Sequence, residues 1–268
     1  VYKRQTLICV DYGDAGVDPL DVENSHDEVR KRVREVAETG AFPVILGGDH
    51  SLMRPDGMAL ADVYGKTEIG IIHFDAHFDA SSNTLGHEIS HGTPVRRLIE
   101  DGFVAGKIFI QVGLRGYGPS AEDMLWMRAQ GIRSHYMAEV ERDGFPAVME
   151  RAIAEALDGP ERLFVSFDID ALDPAYAPGT GTPEPGGFTT REMFPMIRRL
   201  CAECNVVGME LVEVAPAHDP GYTTALNGLR VIQEALTGLA MRKEGVIETH
   251  YLDPRTSGQD PVEGQRTD

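Results

Sequence analysis

Six residues of metal-ligand type stand just past apolar runs in this chain. The run from Ile69 to Phe74 breaks into Asp75, His77 and Asp79. On an extended strand alternate residues face the same way, so these three side chains are predicted to converge on one spot. Two carboxylates and an imidazole make a poor core and a good metal shell. His73 has the same parity but lies deeper in the apolar run, and reads as a hydrogen-bonded neighbour rather than a ligand. The run Phe42 to Leu46 leads likewise into Gly47-Gly48-Asp49-His50-Ser51. Leu163-Phe164-Val165 leads into Ser166-Phe167-Asp168-Ile169-Asp170, where Asp168 and Asp170 repeat the alternate spacing. The bland alternative is a set of strand ends whose acids are merely solvated. Against it stands the common address: all three runs end at the carboxyl edge, where open α/β sheets bind ligands.

Taken together, the candidate shell is His50, Asp75, His77, Asp79, Asp168 and Asp170. A catalytic zinc takes about three protein ligands, so six are too many for one. Four carboxylates and two imidazoles suit two borderline or hard divalent ions such as Mn²⁺, with Ni²⁺ a second candidate, and the four negative charges balance two M²⁺. Two ions about 3.5–4 Å apart can lower the pKa of a shared water to near 7, which makes a nucleophile at neutral pH.

Strands and helices must alternate to bring these residues together. Strands are predicted at residues 6–10, up to 46, 69–74, 107–112, 132–136, 163–169 and 206–214. Between them fall helices at about 23–39 (capped by Asn24 or Ser25 and ended by Gly40), 55–64, 94–99, up to Gln130, 145–157, up to Cys204, and 223–243. Ser120 with Asp123, and Thr189 with Glu192, have the spacing of capping boxes. A long Gly/Pro-rich loop at 173–187 inside a compact domain is usually functional. The alternation, with strands apolar on both faces, predicts a parallel sheet covered by helices on both sides. One domain over residues 1–252 and a polar, disordered tail at 253–268 complete the expected layout.

Acidic residues outnumber basic ones 43 to 25, a formal charge of −18. That excludes nucleic acid and anionic membrane as expected partners, since both need a basic face, and it favours the approach of a cationic small molecule. No apolar stretch reaches the roughly 20 residues needed to cross a membrane, and the N-terminus has no secretory pattern. Three cysteines, Cys9, Cys201 and Cys204, are too few for a disulfide scaffold and fit a cytoplasmic setting. Cys201 and Cys204 have CxxC spacing without a second pair, and read as helix residues without a metal.

With these motifs assembled, the chain resembles the ureohydrolase (arginase/agmatinase) family. The resemblance runs through Gly47-Gly48-Asp49-His50-Ser51, Asp75-Ala76-His77-Phe78-Asp79, His91-Gly92-Thr93-Pro94, Ser166 to Pro174, Pro178-Gly179-Thr180-Gly181-Thr182-Pro183 and Glu210-Leu211-Val212-Glu213-Val214. It implies a three-layer αβα sandwich with a mostly parallel sheet, two Mn²⁺ per chain, and hydrolysis of a guanidino compound to urea and an amine. By motif position Asp75 and Asp168 would bridge the ions, with His50 and Asp79 on one and His77 and Asp170 on the other. His91 would pass a proton to the leaving amine and Glu213 would bind the guanidinium. Without the resemblance, His91 is a residue at a helix start and Glu213 a strand-end acid facing solvent. His26, His87 and His135 read as bystanders, Asp173 before Pro174 as a turn residue, and Trp126 as helix packing.

Within the family, Gly113-Leu114-Arg115-Gly116-Tyr117-Gly118 has glycines where arginases carry an acid for the α-amino group, which argues against arginine. Agmatine is the favoured substrate, with 4-guanidinobutyrate or guanidine as alternatives. The resemblance also implies a homo-oligomer, a trimer or hexamer, and a domain short of its first strand, with an exposed sheet edge. A binuclear phosphoesterase would want a Gly-rich phosphate loop, which is lacking. A single-zinc deacetylase would bind one ion rather than two, and a non-catalytic homologue would not need the complete ligand set.

Overall fold

The computed structural model of the chain describes residues 6–245. The expected tail at 253–268 therefore lies outside the described residues. In chain order the elements are α1 (Val22–Glu38), β1 (Val44–Leu46), α2 (Met53–Tyr64), β2 (Ile69–Phe74), α3 (Pro94–Glu100), β3 (Phe109–Leu114), α4 (Ala121–Gln130), β4 (Arg133–Tyr136), α5 (Met137–Asp143), α6 (Phe145–Leu157), β5 (Arg162–Asp168), α7 (Thr190–Glu203), β6 (Val206–Val212) and α8 (Thr223–Lys243). The described strands form one sheet of order β1-β6-β5-β2-β3-β4, and every pairing is parallel.

Alternation along the strands sorts the core into two clusters. On β2, Ile72 and Phe74 pack with α6, α7 and α8 residues such as Val148, Ile197 and Val231. Ile69 and Ile71 face the other way, onto Met53, Leu60 and Leu98 of the second helical layer. Because β2 is buried along its whole length, its sequence is continuously apolar apart from His73. The architecture is thus a sheet with a helical layer on each face, as expected.

Local signals explain most boundaries. Thr189 and Glu192 make the capping box of α7, and the Ser120 side chain accepts from the Asp123 N–H at the start of α4. α1 begins within a residue of the expected start, but its cap is Asp21, which accepts from Asn24 N–H at 3.0 Å, in place of the expected Asn24 or Ser25. The expected strand at 6–10 is corrected. Residues 7–10 form no strand, and Ile8 and Val10 are exposed at 95% and 77%. An apolar run makes a strand only where an edge pairs with it, and these residues pair with none. The short helix α5 was not anticipated.

Candidate metal centre

The carboxyl ends of β1, β2, β5 and β6 lie side by side, because β1 neighbours β6, β6 neighbours β5, and β5 neighbours β2. Beyond β1, Asp49 caps a short turn, His50–Leu52, by accepting from Ser51 N–H, and so buries His50. Beyond β2 the chain leaves the sheet at Asp75 and turns, with Asp79 in a left-handed conformation (φ 47°). Beyond β5, Asp168 caps the turn Ile169–Ala171 that carries Asp170.

The donor atoms fall into two groups. His50 Nδ1 is 2.9 Å from Asp75 Oδ2 and 3.1 Å from both Asp79 Oδ2 and Asp168 Oδ2. His77 Nδ1 is 2.9 Å from Asp170 Oδ2 and 3.4 Å from Asp75 Oδ1. Asp75 therefore places one oxygen in each group. Asp168 puts Oδ2 in the first, while its Oδ1 accepts from Asp170 N–H at 2.8 Å. Convergence does not come from strand pleat, as the alternate spacing suggested: β2 has ended, and the turn sends Asp79 toward His50 and His77 toward Asp170.

The donor set fits a pair of divalent ions. His50 Nδ1 and Asp170 Oδ2 are buried without a hydrogen-bond partner, both aimed into the clusters. Burial of His50 disfavours its charge, yet the carboxylates of Asp168, Asp75 and Asp79 outweigh this and hold it well above the usual imidazole range. Burial likewise opposes charge on His77, and Asp170 and Asp75 push it up to about 11. Burial and the Asp75 charge raise Asp170 to about 6. Packed acids that draw protons onto their histidines mark a place that calls for positive charge.

His73 does sit beside the cluster as a hydrogen-bonded neighbour. Its Nε2 lies 2.7 Å from Asp75 Oδ2, and its Nδ1 is 3.1 Å from Gln111 Nε2, which also donates to Phe78 O. The ring nitrogen is close enough to His50, Asp75 and Asp79 to count geometrically as a possible fourth donor. Gln111, His73, Ser166 and Glu210 pair in register across β3, β2, β5 and β6. They form a polar row beneath the candidate ligands, one that the motifs by themselves do not reveal. Sequence alone carries no sign of such a row, since register decides it. Ser166 Oγ lies 2.8 Å from His50 Nε2, leaving Nδ1 for the cluster. Behind it Glu210 stands against Asp56, both fully buried and pushed up by burial, with no hydrogen-bond partner for any of their four carboxylate oxygens.

A cavity of about 160 Å³ opens onto the clusters, lined by His77, Phe78, Asp79, Ser81, His91, Gly92, Asp168, Thr182 and Glu213. His91 lies exposed at its rim. Glu213 takes a left-handed conformation (φ 62°) where β6 ends, which turns its carboxylate inward rather than to solvent. Its Oε1 accepts from His50 N–H at 2.8 Å, and burial raises its pKa despite that bond. The remaining polar and aromatic residues have structural partners. His26 bonds Ser51, and His135 bonds Glu139 and Glu155. Asp173 accepts from Ala175, Gly186 and Gly187 N–H as a turn residue, and Trp126 packs under Arg96. Cys201 and Cys204 are buried in neither cluster, and burial pushes the Cys204 thiol up to about 11.

A doubly covered parallel sheet presenting two linked histidine–carboxylate clusters at its carboxyl edge defines a class of α/β protein built around a candidate binuclear metal site. Residues 2–238 match the Arginase family, and the chain belongs to it. It is 39% identical to a mitochondrial agmatinase of Gallus gallus over 233 residues, 86% of this chain and 66% of that protein. A guanidinobutyrase of Pseudomonas aeruginosa is 35% identical, covering 86% of this chain and 71% of its own. Among solved structures, a proclavaminate amidino hydrolase from Streptomyces clavuligerus superposes with a TM-score of 0.81 at 30% identity, over 90% of this chain and 78% of the other. The chain thus spans about two thirds of the length of some curated relatives. No described helix is long and apolar enough to cross a membrane.

Proposed function

We propose that the chain is a ureohydrolase that holds two divalent cations, Mn²⁺ first among candidates, and cleaves agmatine to putrescine and urea. The observation that carries this reading is Asp75, whose two oxygens enter two separate donor groups. His50, Asp79 and Asp168 would hold one ion with Asp75, and His77 and Asp170 the other. Two such ions supply Lewis acidity and a water acidic enough to react at neutral pH.

The remaining work belongs to the cavity residues. Glu213 has its Oε1 fixed by His50 N–H, and Oε2 on the side of Gly181, free to accept paired guanidinium N–H groups. That contact orients the guanidinium carbon over the clusters. His91 at the rim can give a proton to the departing amine and take one from solvent. Phe78 and Gly92 narrow the space around the reacting group. Among the described residues no lysine or arginine lines the cavity, and the chain is strongly acidic. A cationic tail is therefore favoured over a carboxylate tail. The similarity to a guanidinobutyrase keeps 4-guanidinobutyrate as the alternative substrate.

The test is urea release from agmatine, 4-guanidinobutyrate, arginine and guanidine after loading with Mn²⁺ or Ni²⁺. Agmatine is expected to give the highest kcat/KM. A higher value for 4-guanidinobutyrate would overturn the substrate, and silence on all four with two ions bound would overturn the reaction.

A further inference from the structure

Arg115 stands just past β3, outside both donor groups, yet it touches both loops that carry the second one. Its side chain gives its hydrogen bonds to main-chain carbonyls. Nη2 donates to Asp170 O at 2.6 Å, Glu184 O at 2.6 Å and Leu172 O at 3.5 Å. Nε donates to Glu184 O at 3.1 Å and Pro185 O at 3.3 Å, and Nη1 to Gly113 O at 3.2 Å. A charged fork spread over neutral carbonyls is a clamp on the backbone rather than the partner of a charge.

The main chain of Arg115 completes the clamp. Its N–H donates to Ala76 O at 2.9 Å, and Ala76 N–H donates to Asp170 Oδ1 at 3.0 Å. Ala76 sits between Asp75 and His77. One residue is thereby bonded to the turn that bears Asp75 and His77 and to the backbone of Asp170, which together form the second donor group. The first group is tied down elsewhere: His50 by Ser166 and Glu213, and the Asp79 carbonyl by Val95 N–H at 3.1 Å.

From this asymmetry we infer that Arg115 is a positioning residue chiefly for the second cation subsite, setting the distance between Asp170 and the Asp75–His77 turn. The inference rests on the two-cation reading proposed above. Gly187 offers a second way to probe it: a Cβ there would lie 2.5 Å from Arg115 Nη2 and 2.7 Å from Asp173 N, so it would press on the guanidinium and on the backbone of the loop it clamps. Lysine at 115 would keep the charge but, with three donors on a flexible stem, would lose the spread of bonds.

The experiment is a Mn²⁺ titration of the full chain after chelator treatment, counting bound ions per chain and following the magnetic coupling of the pair by electron paramagnetic resonance. The wild-type chain is expected to bind two coupled ions. Arg115→Lys and Gly187→Ala are expected to keep the first ion at close to wild-type affinity and to bind the second about 10–100-fold more weakly, the usual cost of losing an outer support of a metal site. An unchanged second affinity in both variants would overturn the inference. So would a parallel loss of both ions, which general damage would produce. A wild-type chain that binds fewer than two ions would instead sink the functional reading, and this inference with it.

Discussion

What a carboxylate or imidazole can do here depends on which of its atoms the fold leaves unused. Glu213 gives Oε1 to His50 N–H and keeps Oε2 beside the cavity. Glu213→Gln would preserve the backbone bond through the amide oxygen and lose the charge. A hydrogen bond to a charged group is worth about 1.5–3 kcal/mol, so kcat/KM is expected to fall about 10–100-fold with two ions still bound. Steady-state kinetics alongside an ion count checks this; an unchanged kcat/KM would remove Glu213 from substrate recognition. His91 is different, being exposed at the rim and bonded to no donor group. His91→Ala is expected to lower kcat at least about 10²-fold, the lower range for a general acid–base group, without changing the ion count. A kcat near wild type would assign the proton to solvent.

At the scale of elements, the turn that buries His50 is held by α1. His26 on α1 bonds Ser51 at 3.1 Å, and burial, then the Arg54 guanidinium, lowers its pKa to about 4. Its folded pKa is thus below the unfolded value near 6.5, so the unfolded chain takes up the proton first as pH falls. Stability is expected to be level in this respect above pH 6.5 and to decline between pH 6.5 and about 4. His26→Gln should show a shallower decline in urea midpoints measured from pH 7 to pH 5, and an identical slope would refute the linkage. The packing of α7 on α8 makes a second prediction. A Cβ at Gly238 would run into Arg198 O and lie 2.7 Å from Cys201 Cβ. Gly238→Ala is expected to cost about 1–3 kcal/mol, the range for overpacking, and to lower the urea midpoint. A midpoint equal to wild type would mean that the two helices move apart freely.

For the whole molecule, the proposed cation sites would couple binding to folding, because residues following β1, β2 and β5 meet only in the folded chain. Mn²⁺ at about 100 times its Kd is expected to add about 2.7 kcal/mol of stability, seen as a rise in Tm that a chelator reverses. A Tm indifferent to Mn²⁺ would count against a metal centre. The formal charge of −18 belongs to this scale too, since a field of that sign draws cations to the acidic mouth.

Most of the strand-and-helix order, the parallel sheet and the ligand-type residues that gather at its carboxyl edge were legible in sequence, for one reason. Burial on both faces makes a strand read as an unbroken apolar run, and ligand-type residues at its end then stand out. Capping at Thr189 and Ser120 was legible because it depends on neighbours three residues apart. What lay beyond the sequence depended on long-range pairing. No local pattern says that residues 7–10 find no edge, or that Gln111, His73, Ser166 and Glu210 fall into one row. Nor does spacing reveal that Asp79 turns toward His50 while His77 turns toward Asp170, because that division follows from the turn after β2 and the neighbours it meets. The sequence by itself thus determined which residue types gather at the carboxyl edge. Only the tertiary structure decided which atoms share a cluster, since strand order and register set the distances between them.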